Sequence, residues 1–286
     1  MVHYRHIFFL LIPLLIACEN RYTRHDPSLV VEGWIDAGGH PVVLIHTTYA
    51  FNSDNGSYQT MEDIMEEHLL PFAKVTVSDG TQEVVLTGRV DTFFMPPYSY
   101  SSLNMTGEEG KTYTVSVKYN ALYATAVTTI PPRAVFDSVC IEKADTTARL
   151  TGYMSHLNTA DTTCYAVFAR EYGKKRYRLC PLGVFSSLQA SADGQLQVPL
   201  YNPFAAASSS LTDRVPTLDF PLTGQPLYIK LSRLDADAYR FWNGWVQQTL
   251  TQGILFVPVW QNLHNNIDGG IGNWSGLGST VYEITL

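Results

Sequence analysis

Alternation of apolar and polar positions dominates this chain. Residues 111–118, Lys-Thr-Tyr-Thr-Val-Ser-Val-Lys, put Tyr113, Val115 and Val117 on one face and Thr112, Thr114 and Ser116 on the other. That is the two-residue period of a half-buried strand. Residues 73–77 alternate in the same way, Ser78-Asp79-Gly80-Thr81 turns the chain, and 83–87 return. Strands are also predicted at 28–35 and 41–49. They are joined at 37–40, where Gly38-Gly39 supplies the positive φ of a tight hairpin. A further strand at 123–130 runs into Pro131-Pro132, which offers no backbone donor and stops pairing. These elements predict an Ig-like β-sandwich over 28–131.

Beyond the prolines, strands are predicted at 135–141, 149–156, 163–171, 175–181, 225–234, 254–260 and 280–286, with Gly173-Lys174-Lys175 as a turn. Residues 182–215 carry little periodic signal and predict a long irregular crossover. Residues 61–70 suit a short acidic helix. The strongest helical pattern spans 235–250, where Ala238, Trp242, Trp245 and Val246 share a face and an early Asp suits the positive helix end. Its aromatic stripe is expected in the core. The expected fold is therefore mostly β, an N-terminal Ig-like β-sandwich followed by a second β-rich domain, 135–286, carrying one helix near 235–250.

The first residues break this pattern. Arg5, flanked by His3 and His6, precedes an apolar run from Ile7 to Ala17, which is too short to span a bilayer. A charged start, an apolar middle and a small residue at the cut site mark residues 1–17 as a secretory signal. The run ends Leu15-Ile16-Ala17-Cys18, which resembles a bacterial lipobox. Cys18 is then the lipidated residue and 18–27 a polar tether. Each buried acyl methylene contributes about 0.8 kcal/mol, so two or three chains hold a protein on a membrane.

Composition narrows the function. Hydrophobic residues make up 45% and charged residues only 16%, with a formal net charge of −7. Disorder is excluded, and no basic excess exists to neutralise nucleic-acid phosphates. With Cys18 lipidated, Cys140, Cys164 and Cys180 remain, enough for one bridge at most. Cys164 and Cys180 flank a turn-like stretch and are open to pairing, which spacing alone does not decide.

No catalytic or metal signature emerges. The histidines lack metal-site spacing, and no Gly-x-Ser-x-Gly elbow is present. Gly269-Gly270-Ile271-Gly272 is followed by Asn273-Trp274-Ser275-Gly276, a poor helix start. It predicts a glycine turn packed close to another backbone rather than a phosphate loop. No cofactor and no metal are expected. Phe93, Phe94, Tyr98 and Tyr100 cluster in a Pro-containing stretch. They read as a candidate interaction surface or as a loop folded over its own core.

Several segments together resemble a family of Bacteroidetes-type lipoproteins, the domain of unknown function 4249. They are the lipobox ending at Cys18, Leu29-Val-Val-Glu-Gly-Trp-Ile35, Gly110-Lys-Thr-Tyr-Thr-Val-Ser-Val117, Tyr123-Ala-Thr-Ala with Ile130-Pro131, Phe136-Asp-Ser-Val139, and Asn266-Ile-Asp-Gly-Gly-Ile-Gly272. The family usually places an aromatic close behind the last glycine; here Asn273 precedes Trp274, a small departure. The resemblance carries no catalytic residues. It implies an outer-membrane lipoprotein, encoded near TonB-dependent transporters and assisting nutrient capture or uptake. Two alternatives stand beside that expectation: a structural or adhesive envelope module, and a hydrolase assembled from distant residues. A concave aromatic-lined pocket favours the first reading, a flat exposed apolar patch favours docking, and clustered perturbed carboxylates favour the hydrolase.

Overall fold

The structure, a computed structural model, describes residues 27–48, 69–94, 97–205, 216–251 and 262–286. The predicted signal at 1–17, Cys18, most of the predicted tether, residues 61–68 of the predicted acidic helix and the predicted strand at 254–260 lie outside the described residues.

The protein is mostly β. One eight-stranded sheet runs through it, and two four-stranded sheets pack on the same face of this sheet. The first small sheet contains β3 (Lys74–Ser78), β4 (Glu83–Val85), β7 (Thr112–Tyr119) and β8 (Leu122–Thr129), in the order β4-β3-β7-β8. It faces β1 (Leu29–Asp36), β2 (Val42–Thr47) and β6 (Tyr98–Ser101) of the large sheet. Tyr113, Val115 and Val117 point inward from β7, as their alternation requires, and meet Leu29, Val31 and Ile35 of β1. Sequence reading gives one return strand at 83–87. The structure splits it: β4 pairs β3, then the chain crosses at buried Leu86, and β5 (Thr87–Val90) pairs β6 in the other sheet.

The second small sheet is built on β10 (Thr147–Met154). It pairs β9 (Ser138–Ala144) as well as β13 (Leu196–Leu200) and β14 (Phe220–Pro221). Residues 182–215, expected to be irregular, contribute the end of β12 (Arg178–Ser186), a 3-10 turn at Ser187–Gln189, and β13. Val198 and Leu200 alternate into the core, but with Pro199 between them the run is too short to stand out in sequence. This sheet faces β11 (Cys164–Glu171), β12 and β15 (Pro226–Leu234) around a second core that includes Leu150, Val167, Phe220, Ile229 and Leu231.

The last strand, β16 (Gly270–Thr285), joins the two halves. Its first half pairs in parallel with β1, from Leu29↔Gly270 to Asp36↔Leu277. Its second half pairs antiparallel with β15, from Leu234↔Leu277 to Pro226↔Thr285. Of the segment predicted as a glycine turn, Gly269 does turn at φ +74°, while Gly270–Gly272 open the strand, and residues assigned by sequence to the second unit complete the first. Trp274 is fully buried in the first core and donates its indole N–H to the Tyr113 carbonyl at 3.0 Å. The close backbone approach expected of the glycines does occur. A Cβ on Gly272 would lie 1.9 Å from the Val31 carbonyl oxygen, and one on Gly278 would lie 2.4 Å from that of Pro131.

Beside β1, the first half of β16 has no strand on its other edge among the described residues. Two amides take that place. Asn265 Oδ1 accepts from Gly272 N–H at 3.0 Å. Asn266 accepts from Trp274 N–H at 2.9 Å and donates back to the Trp274 carbonyl at 2.8 Å. Buried backbone groups need such partners.

The opposite face of the large sheet carries α1 (Ala236–Thr251). Asp235 caps it, accepting from Ala238 N–H at 2.8 Å, while its other carboxylate oxygen accepts from the Thr128 hydroxyl at 2.8 Å. Ala238 packs against Cys164, Ala166 and Phe168 of β11 and Leu277 of β16. Strand β11 is therefore covered on both faces, which explains its unbroken apolar run.

Candidate functional site: a cleft inside a curled sheet

The large sheet has the order β12-β11-β15-β16-β1-β2-β6-β5, so β12 and β5 are its two edges. Those edges meet. Lys175, just before β12, places Nζ 4.0 Å from the Asp91 carboxylate and 5.2 Å from the centre of the Phe93 ring, both just after β5. The sheet curls around the face that carries α1 and encloses a cleft of about 1440 Å³. Eight strands curled in this way leave room for a ligand.

Outward positions of β1 make the floor. Glu32, Trp34 and Asp36 project into the cleft, joined by Asn273 from β16 and Lys230 from β15. Trp242 and Trp245 of α1 form a wall, and Phe94 packs on Trp34 with ring centres 5.9 Å apart. The rim carries Arg89, Lys175, Arg176 and Arg178.

Two polar groups of the floor are satisfied by each other. Lys230, 5% exposed, reaches both Asp36 oxygens at 3.1 Å and lies 4.9 Å from the Phe168 ring centre and 5.0 Å from that of Tyr177. Ser279 donates to Asp36 at 2.5 Å and exchanges a 2.8 Å hydrogen bond with Ser232. This network is a closed unit.

Others are left open. Glu32 meets the solvent of the cleft but is ringed by its walls. Desolvation pushes its carboxyl above the ordinary carboxylate range, against the opposing pull of His46 and Arg176. Desolvation likewise lowers the Arg176 guanidinium, which Glu32 partly offsets. Asn273, 3% exposed, donates to Ser275 Oγ at 2.5 Å, while its Oδ1 is buried without a hydrogen-bond partner among the described residues. Trp242 Nε1 is buried in the same condition. Unsatisfied buried groups are rare in folded proteins, and both of these line the cleft.

The four aromatics proposed from sequence separate. Phe93 and Phe94 stand at the cleft rim, with Phe93 37% exposed. Tyr98 and Tyr100 belong to strand β6 rather than a loop, and alternation turns both toward the first core while Ser99 and Ser101 face the cleft. Tyr100 is 2% exposed, so it is no surface residue. Its hydroxyl donates to the Leu70 carbonyl and accepts from Ala73 N–H at 3.2 Å, and burial pushes its pKa up to about 12. Tyr98 donates to the Pro71 carbonyl at 3.2 Å. The pair anchors residues 70–73. Trp242 and Trp245, expected in the core, instead wall the cleft.

Cys164 and Cys180, open to pairing by sequence, are free thiols. They belong to different packing clusters, Cys164 beneath α1 and Cys180 in the second core, where burial raises its pKa. Among the described residues no three His, Cys, Asp or Glu side chains converge as a metal site would require.

Sequence reasoning missed Glu32, Asn273, Arg176 and Lys230. The available signal lay in β1, whose second face carries Val30 and Trp34 beside Glu32 and Asp36. A strand with large apolar groups on both faces has something covering each of them.

A mostly β protein with a cleft between a curled sheet and a helix is the class that this geometry defines. Residues 18–282 match the family model described as domain of unknown function DUF4249, and the chain belongs to that family. A search of the curated proteins gives no match.

Proposed function

We propose that this protein is a lipid-anchored, non-enzymatic accessory of the outer membrane that holds a nutrient in its cleft for a TonB-dependent transporter. Cys18 would carry the lipid, and residues 18–27 would tether the folded part beside its partner. The observation that carries this reading is the cleft itself. It is concave, aromatic-walled and formed by the meeting of both edges of the large sheet. Ligand sites are of this kind, mostly apolar with a few placed polar groups. The carboxylate–ammonium pair on its floor, Asp36 and Lys230, is internally neutralised, which suits a binding surface better than acid–base chemistry.

The test is affinity purification of the tagged full chain from gently solubilised native membranes, with mass spectrometry of what accompanies it. A stoichiometric TonB-dependent transporter is the expected result. Recovery of the protein alone, under conditions that preserve other outer-membrane complexes, refutes the transporter partnership. Cys18→Ala should leave the outer-membrane fraction, and its retention there would refute the anchor.

A further inference from the structure

The open groups of the cleft narrow its ligand. Glu32 and Asn273 are register partners on adjacent strands β1 and β16, so their side chains leave the same face about 5 Å apart. One is a carboxylate without an ion pair among the described residues, and the other presents a buried carbonyl oxygen without a donor. Two acceptors side by side call for a ligand group with several donors. An ammonium carries three. Around them the floor is aliphatic: Val30, Val42, Leu44 and Ile271 line this part of the cleft. An oligosaccharide carries a hydroxyl on nearly every carbon. Each hydroxyl desolvated there without a partner costs roughly 1–3 kcal/mol. Apolar side chains meet no such penalty. The volume, about 1440 Å³, exceeds the usual range of a site for one small molecule, so the ligand is extended.

Resting on the reading of the cleft as a nutrient site, we propose that it takes the amino-terminal end of a short peptide with apolar side chains, its ammonium seated between Glu32 and Asn273. Arg176, whose charge is felt at Glu32, faces the first carbonyl oxygens of the bound chain. Trp34, Trp242 and Trp245 pack on the side chains. The Trp242 indole N–H donates to a peptide carbonyl and gains the partner it lacks. The α-ammonium of a peptide is charged near neutral pH, and its pairing with Glu32 replaces the solvation that the cleft removes.

The experiment uses the full chain, detergent-solubilised and immobilised. The probe is a lysine-free pool of short peptides of randomised sequence, either with free amino termini or N-acetylated, read by mass spectrometry of the retained fraction. Free peptides should be retained about tenfold or more over acetylated ones, the loss of a hydrogen bond to a charged group. Glu32→Gln should lower retention of free peptides by a similar factor, while Leu188→Ala, exposed and outside the lining of the cleft, leaves it unchanged. Equal retention of free and acetylated pools, no retention of either, or preferential retention of a maltooligosaccharide pool overturns the inference. If the transporter co-purifies while the peptide pool fails, the ligand class alone is lost. If neither is found, the reading of the protein as a transport accessory falls with it.

Discussion

Removing Asp36 should damage the protein far more than removing Lys230, although each breaks the same ion pair. The Lys230 side chain is 6% exposed and that of Asp36 is 24% exposed. Asp36→Ala strands an ammonium in the cleft floor. The rings of Phe168 and Tyr177 are then its main neighbours, and Ser279 loses its acceptor. Breaking a buried pair from this side costs about 3–5 kcal/mol. Lys230→Met fills the same volume with an apolar chain against the same rings. It leaves Asp36 with the Ser279 hydroxyl and access to solvent, so the expected loss is about 1 kcal/mol. The double variant should resemble Lys230→Met, because the stranded charge is gone. The large difference between the single variants thus disappears in the cycle. Urea denaturation followed by tryptophan fluorescence measures all four proteins. Domains of this kind have about 5–15 kcal/mol in total, so a 3–5 kcal/mol loss moves the midpoint well beyond error. Equal losses for the two single variants, or additive losses in the double, would refute the assignment of Lys230 as the more deeply buried partner.

Three further outcomes follow from the geometry. Because burial raises the Glu32 carboxyl, its charged form destabilises the folded protein above that raised value, and the penalty vanishes below the ordinary carboxylate range. Glu32→Gln should therefore raise the melting temperature at pH 7 and give no gain in acid, as melting curves across pH will show. The Asp79 carboxylate is held down to about 2, first by Gln82 N–H and then by the hydroxyl and N–H of Thr81. Its contribution is complete above the ordinary carboxylate range and is lost as pH falls through about 2, so Asp79→Ala should lower the melting temperature at neutral pH and match the parent below that value. Gly272→Ala forces a Cβ to within 1.9 Å of the Val31 carbonyl at φ +131°, and should destabilise by more than about 4 kcal/mol, visible as protease sensitivity of the C-terminal strand.

The strands with a clean two-residue period were legible in the sequence. Tyr113, Val115 and Val117 face the core as their spacing demanded, and the helix near 235–250 occupies Ala236–Thr251. The partner of each strand was not legible. Alternation specifies a face, while pairing depends on which distant segment arrives there, and β1 and β16 lie more than two hundred residues apart. Tyr98 and Tyr100 show a local version of the difficulty. Clustered aromatics near proline read as a loop, yet Tyr-Ser-Tyr-Ser alternates, and both rings face inward. The cleft was hidden for a related reason. Glu32 and Asn273 become neighbours only through strand register, and Lys175 meets Asp91 only because the sheet curls.

Placing the final strand beside the first imposes an order of events on the newborn chain. During synthesis β1 emerges early, with one edge taken by β2 and the other waiting for residues 270–277. Until those arrive, the first core lacks Trp274, and an unpaired edge is open to wrong partners. Contacts of such long sequence separation form slowly. Maturation is thus a race between the arrival of β16 and capture of that edge by another molecule. Loss of residues 270–277 would therefore be felt at β1, at the opposite end of the sequence, while loss of the last few residues would be felt at β15 and the second core.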